Sequence, residues 1–155
     1  QRKGEHGIIV EGLSNCLVKF SKCCSPVPGD DIVGFITRGY GVSVHRADCP
    51  NVLRSKDNPA EAGRWIRVSW ADKTSEEYHT MLQVVAKDRI SLIVDVSTVL
   101  SATKTRVLSL NARSTPDGFA LLDLGISVSG RDQLKTVTSR LEQIQGVMKV
   151  TRPAG

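Results

Sequence analysis

The sequence predicts an α+β fold in two parts, a small strand-rich module followed by a ferredoxin-like βαββαβ domain. Three observations carry that expectation. Residues 1–75 read as short strands between turns and gather Cys23, Cys24, His45 and Cys49 into one stretch. Residues 76–155 run strand, helix, strand, strand, helix, strand, each with its own periodicity. Between them Ala71-Asp72-Lys73-Thr74-Ser75-Glu76-Glu77 is a polar segment, which sets the boundary there.

In the first part, Gly7-Ile8-Ile9-Val10-Glu11-Gly12 is a glycine-bounded apolar run, and Cys16-Leu17-Val18-Lys19-Phe20 is a second. Asp31 to Thr37 follows a proline-rich bend, and Arg38-Gly39-Tyr40-Gly41 turns the chain into Val42-Ser43-Val44-His45, which alternates like a strand. Asp48-Cys49-Pro50-Asn51-Val52-Leu53 starts a short helix, with Asp48 or Cys49 capping and Pro50 in its first turn. Asn58 to Gly63 is a loop. Ile66, Val68 and Trp70 then occupy one face of a strand. Some 70 residues make a thin core, which a bound metal would reinforce.

The cysteines give that metal a chemical basis. Three thiolates and an imidazole close a tetrahedral shell around zinc with no open position, the pattern of a structural site. His45 and Cys49 lie four residues apart and share a face on a helical turn. Adjacent side chains diverge in an extended chain, so Cys23 and Cys24 need a bent backbone to share an ion. Ser25-Pro26-Val27-Pro28-Gly29 supplies the bend. On spacing alone a plainer reading stays open: Cys23 and Cys24 as small core residues, and His45 as hydrogen-bonded scaffold. A disulfide between neighbours would be strained. Cys16 reads as a buried strand residue.

In the second part, Tyr78 to Ala86 is a strand with Leu82, Val84 and Ala86 on one face. Leu92, Ile93, Val96, Val99 and Leu100 fall at helical spacing. Val107 to Arg113 is a strand, Thr115-Pro116-Asp117-Gly118 a turn, and Phe119 to Val128 a strand that alternates Leu122, Leu124, Ile126 and Val128 against Asp123, Gly125 and Ser127. Leu134, Val137, Leu141 and Ile144 stripe a second helix that stops at Gly146, and Val147 to Thr151 closes the sheet. Two helices cover one sheet face. The other, with Gln83, Asp123 and Ser127, is mixed, and a domain of this kind often covers a face or edge with a second copy, so a homodimer is expected.

The 155 residues are 40% hydrophobic and 24% charged, an ordinary globular composition. No apolar run reaches the roughly 20 residues of a membrane span. With no apolar signal core and no oxidising context, the cytoplasm is the expected location. The chain does not begin with Met, which fits a piece of a longer protein. A net charge of +5 is spread along it, ten basic against seven acidic residues to Trp70 and eleven against nine beyond. Lys19, Lys22, Arg38 and Arg46 flank the cysteines and are candidates for contact with an RNA backbone. The strand Phe119-Ala120-Leu121-Leu122-Asp123-Leu124 has no central aromatic, which argues against base stacking on the sheet.

Residues Cys23 to Thr37 (CCSPVPGDDIVGFIT) and Gly39 to Cys49 (GYGVSVHRADC) closely resemble the conserved-cysteine module, also called zinc-finger or inter-subdomain, of the long Rel/SpoT enzymes. Those enzymes make and hydrolyse ppGpp and pppGpp in bacteria, and in them the module precedes an ACT domain, a ferredoxin-like amino-acid sensor. The resemblance implies a regulatory piece with no catalytic residues of its own, acting on catalytic domains of the same protein. It implies Cys23, Cys24, His45 and Cys49 as zinc ligands, and contact with the ribosome carrying uncharged tRNA.

The ACT resemblance also implies an amino-acid site where the first strand of the domain turns into its first helix. The turn is Lys87-Asp88-Arg89-Ile90-Ser91-Leu92, with Ser91 at the position where the family has glycine, and Asn111 matches a polar position on the next strand. A helix N-terminus there would attract the ligand carboxylate, and Ser91 is expected to cap it. Apolar lining from Ile90 and Leu92 favours a branched-chain ligand such as valine. Two other readings stand beside this one. The chain could be a ribosome- and RNA-binding module whose ACT fold is only scaffold, or a redox sensor using Cys23 and Cys24.

Overall fold

The computed structural model describes residues 7–12, 16–39, 41–71 and 77–153. The N-terminal residues 1–6, Tyr40 of the expected turn and residues 72–76 of the expected boundary segment lie outside them. The chain forms two compact units, Gln1–Glu76 and Glu77–Pro153.

The first unit has two small sheets. Strand β1 (Ile8–Val10) pairs antiparallel with β6 (Val68–Trp70). The other sheet runs β2 (Leu17–Phe20), β4 (Gly41–Arg46), β3 (Ile32–Ile36), β5 (Trp65–Ile66), with β2 parallel to β4 and the rest antiparallel. The expected strand through Ile66, Val68 and Trp70 is thus two strands that part at Arg67. Trp65–Ile66 joins β3 and Val68–Trp70 joins β1, and the Arg67 carbonyl between them accepts the Glu11 N–H.

Alternation along β4 organises this unit. Val42 and Val44 point into an apolar cluster with Ile8, Val10, Val18 and Val68, sealed by Phe20 stacked on Trp70. Ser43 and His45 point to the other face. A second, smaller cluster gathers Cys24, Cys49 and Val52 against Cys23, Val33 and Trp65. Val52 belongs to α1 (Pro50–Lys56), which is followed by a short 3-10 turn at Ala62–Arg64. Cys16 lies just before β2, half-buried against the apolar cluster, and not within the strand as expected.

The second unit has the expected element order: β7 (Tyr78–Lys87), α2 (Leu92–Ala102), β8 (Arg106–Ser114), β9 (Phe119–Val128), α3 (Arg131–Glu142) and β10 (Val147–Thr151). Its antiparallel sheet runs β10-β7-β9-β8. Both β7 and β8 run antiparallel to β9, so they are parallel to each other and α2 is the crossover between them. Leu82, Val84, Leu122, Leu124 and Ile126 on one sheet face are buried with Val96, Leu100, Val137 and Leu141 of the helices. On the open face Gln83 donates to Asp123, and Ser127 to Glu77. Strand β8 is the sheet edge and is exposed along its whole length. Among the described residues no helix is long and apolar enough to cross a membrane.

Gly34 shows how closely the first unit is packed. A Cβ there would lie 2.7 Å from Val68 Cγ1 and 2.9 Å from Val42 Cγ1. Gly34→Ala should therefore destabilise the unit by roughly 1–3 kcal/mol through overpacking. Gly63→Ala, with open space around its Cβ, is the control. Denaturant unfolding checks both, and equal stability of the two variants would contradict the close packing.

Candidate metal centre

Adjacent cysteines share one site here because of the turn that carries them. The Ser25 N–H donates to the Ser21 carbonyl (2.9 Å), closing a loop around Lys22, Cys23 and Cys24. Ser25 sits at φ 45°, a left-handed conformation that reverses the chain. Just beyond, the buried Asp30 carboxylate accepts the Val27 N–H (2.8 Å), and the Asp30 carbonyl accepts the Trp70 indole N–H (3.0 Å). Those bonds fix the proline-rich bend against the apolar cluster of the unit.

His45 and Cys49 come from a different arrangement than the helical turn expected. His45 is on β4, and Cys49 is the N-cap of α1 with Pro50 following. A tight turn, closed by the Cys49 N–H donating to the Arg46 carbonyl (3.1 Å), brings Cys49 back beside His45. Cys49 caps with its backbone alone, so its thiol is left to the cluster.

The four donor atoms all lie within 4.8 Å of one another. Cys23 Sγ is 3.5 Å from Cys49 Sγ, 3.9 Å from Cys24 Sγ and 3.5 Å from His45 Nδ1, which is 3.9 Å from Cys24 Sγ. A tetrahedral shell with bonds of about 2.3 Å to sulfur and 2.05 Å to nitrogen has edges of about 3.8 Å and 3.6 Å. These separations fit it. All four cysteines of the chain are free thiols, so the cluster is not spoken for by a disulfide. The group could hold a metal ion.

Its surroundings prepare it unevenly. Burial pushes the Cys24 thiol up to about 12, aided by the neighbouring Cys23 and Cys49, although the Arg46 backbone N–H donates to its sulfur (3.2 Å). Burial also raises Cys23, but hydrogen bonds with Ser21, Asn51, Cys49 and Cys24 together bring it below the ordinary thiol value. Burial lowers His45, favouring the neutral imidazole that a metal requires. The His45 ring packs edge-on to Trp65, with Nε2 3.5 Å from Ser43 Oγ, so Nδ1 faces the thiols.

The second expected site is only partly assembled. Asp88, Arg89 and Leu92 line a cleft of about 210 Å³ with Ile93, Ala112, Arg113 and neighbouring residues. Ile90 is 93% exposed and is not among the lining residues, nor is Ser91. Asp88 and Arg89 are already engaged. The Asp88 carboxylate accepts the Ser114 hydroxyl (2.7 Å), and Arg89 pairs with Asp95 (2.6 Å) while donating to the Gln145 and Ile90 carbonyls. Ser91 adopts φ 70°, ψ 6° and makes no side-chain cap, against expectation. Asn111 pairs with Asp123 on the open sheet face, opposite the face of Leu122 that the cleft uses.

Among the basic candidates, Lys19, Lys22 and Arg38 are exposed. Arg46 is not: its side chain shares the β4 face of Val42 and Val44 and is only 10% exposed beside Asp48. That removes it from any surface contact with RNA. Sequence reading overlooked Ser21, Ser43, Asn51 and Trp65 around the thiols, and Ile93, Ala112 and Arg113 in the cleft. The alternation of β4 was a usable signal for Ser43, two residues before His45.

Known proteins resemble the chain along nearly all its length. The RelA/SpoT RIS domain matches residues 8–71, which include the whole thiol–imidazole cluster, and the ACT domain matches 74–152, which include the cleft. The chain is 37% identical over 149 residues to a GTP pyrophosphokinase of Escherichia coli, covering 96% of this chain and 20% of that protein. It is 37% identical over 146 residues to the bifunctional (p)ppGpp synthase/hydrolase RelA of Mycobacterium tuberculosis, covering 94% and 19%. It thus spans about a fifth of these relatives. A crystal structure of the ACT domain from GTP pyrophosphokinase of Chlorobium tepidum aligns at 25% identity and TM-score 0.45, over 50% of this chain and 99% of that one.

The thiols should differ in reactivity. Cys23 is half-buried with a lowered thiol value, whereas Cys24 and Cys49 are buried. Alkylation of the metal-free chain at neutral pH should mark Cys23 ahead of Cys24 and Cys49, read by peptide mass spectrometry. Labelling of Cys24 first would contradict this order.

Proposed function

Because this chain belongs to the RelA/SpoT family, with its RIS and ACT domains, we propose that it senses amino acids and so controls the catalytic domains of a GTP pyrophosphokinase. The observation that carries this reading is the continuous match to the regulatory RIS and ACT region of enzymes about five times as long. The matched region is not that of their catalytic domains, so the fragment itself is not the enzyme. We place it in the cytoplasm.

In this reading zinc fills the thiol cluster. Cys23, Cys24, His45 and Cys49 would hold it, and a shell of four protein donors supplies folding energy, roughly 10–16 kcal/mol in small zinc fingers, and leaves no open catalytic position. The ligand of the ACT domain is a small branched-chain amino acid such as valine, seated in the cleft. Leu92, Ile93, Ala112, Ala120 and Leu122 offer it an apolar lining, and the N-terminal end of α2 attracts its carboxylate. Ser91 supports this placement, since its left-handed backbone is the one a glycine would adopt at the same position. Asp88 and Arg89 shape the turn through their own bonds and line the cleft beside the ligand. Bound ligand regulates only through a difference in affinity between two arrangements of the protein. The exposed β8 edge is where a second copy would pair, giving a homodimer.

A second reading has its own support. Lys19, Lys22 and Arg38 are exposed on the unit that holds the cluster, which suits contact with ribosomal RNA or tRNA. There the ACT fold is scaffold.

Two experiments test these readings. Zinc should bind one per chain and raise the unfolding temperature, and Cys49→Ser should abolish both effects while Cys16→Ser should not. Zinc takes thiolates, and Cys24 keeps its proton up to about 12 in the metal-free chain. Binding must therefore expel protons, and affinity should rise with pH and fall in acid. Affinity indifferent to pH would count against thiolate ligation. Calorimetric titration with valine and isoleucine should give saturable heat that Ala112→Leu, which fills the cleft, removes and Asn111→Ala leaves. No heat at millimolar ligand would overturn amino-acid sensing and leave salt-sensitive RNA binding as the better account.

A further inference from the structure

We infer that Ser21 is a positioning residue for the metal, holding the Cys23 thiolate through its hydroxyl. This rests on the zinc reading of the cluster. Ser21 Oγ lies 2.9 Å from Cys23 Sγ. A metal-bound cysteine is a thiolate with no proton to give, so the serine hydroxyl is the donor in that pair, a charge-assisted bond.

Ser21 is anchored where such a role needs it. Its backbone N–H donates to the Val44 carbonyl (2.9 Å), and its own carbonyl accepts the Ser25 N–H (2.9 Å). One residue therefore joins the strand that carries His45 to the turn that carries Cys23 and Cys24. Its side chain then reaches the most accessible of the three cysteines, whose sulfur Asn51 also bonds. Cys24 and Cys49 are buried, and Cys24 already accepts the Arg46 N–H. His45 is held between Trp65 and Ser43. Cys23 alone among the three thiols is only half-buried, so it is where water or a competing chelator reaches the shell. The Ser21 bond occupies a lone pair of that sulfur and fixes its direction. Outer-shell donors of this kind change metal affinity by about 10–100-fold.

The test compares Ser21→Val with Ser21→Thr in the full chain, because the two side chains have the same shape and only Thr keeps the hydroxyl. Each protein is loaded with zinc(II) or cobalt(II) and challenged with a chromophoric chelator. Thiolate-to-cobalt charge-transfer absorption is recorded, and the unfolding of the metal-free proteins is measured alongside. Ser21→Val should lose metal about 10–100-fold faster and show a shifted charge-transfer band. Ser21→Thr should match the wild type in both, and the metal-free stabilities should be alike. Equal release rates and spectra for the two variants would overturn the role of the hydroxyl. So would a loss in Ser21→Val matched by an equal loss of metal-free stability, which marks packing alone. A wild-type chain that takes up neither metal would overturn the zinc reading first, and this inference with it.

Discussion

Strand β4 has to satisfy two clusters at once, and the first unit is arranged around that constraint. The two-residue period of a strand sends Val42, Val44 and Arg46 one way and Ser43 and His45 the other. Its neighbours β2 and β3 pair with it over most of its length, so neither face can shift without breaking ladder bonds. A slip of one residue would turn Val42 and Val44 out of the apolar cluster and His45 out of the thiol group together. Both ends of the thiol group are tied to the same strand, Ser21 through Val44 and Cys49 through Arg46. The geometry of the four donors is therefore a consequence of the register of β4.

That coupling explains why a thin core suffices. The buried apolar cluster of the unit is made of five valines around Ile8, and among the described residues its aromatics, Phe20 and Trp70, are only partly buried. The thiol group forms a second small core on the opposite side of the sheet, where Cys24, Cys49 and Val52 exclude water with Trp65 over them. An unligated trio of thiols is a poor core, because thiols gain little from one another beyond weak hydrogen bonds. Filled with zinc, as proposed, the same atoms become the strongest cross-link in the unit, joining the turn after β2, the end of β4 and the start of α1.

How far the sequence was readable follows from how local each determinant is. The strict alternation of Tyr78–Lys87 and Phe119–Val128 and the helical stripe of Leu92, Val96 and Leu100 are repeated signals, and the second unit follows them. The meeting of Cys23, Cys24, His45 and Cys49 was legible from residue type, but its means was not. It depends on one left-handed residue, Ser25, and on a turn after β4 where a helical turn was expected. Arg46 was legible and overlooked, since it shares the parity of Val42 and Val44. Asn111 was not legible. A bulge between Val107 and Ser109 flips the parity of β8, carrying Asn111 from the side of Val107 to the open face.

The bonds around the cleft would give the proposed ligand a physical route to be felt beyond it. Arg89 ties the start of α2, through Asp95, to the segment between α3 and β10, through the Gln145 carbonyl. Asp88 ties the same turn to Ser114 at the end of β8. Seated in the cleft as proposed, a ligand would lie against Asp88, Arg89 and Ser114, which both line it and carry these ties. The Ser114 tie sits at the end of β8, and β8 is the exposed edge of the sheet, with Leu108 53% and Leu110 37% accessible. An exposed edge strand is the element open to pairing with another chain. The cleft and the edge are thus joined by one short chain of contacts, through which the proposed ligand would be felt at the proposed interface.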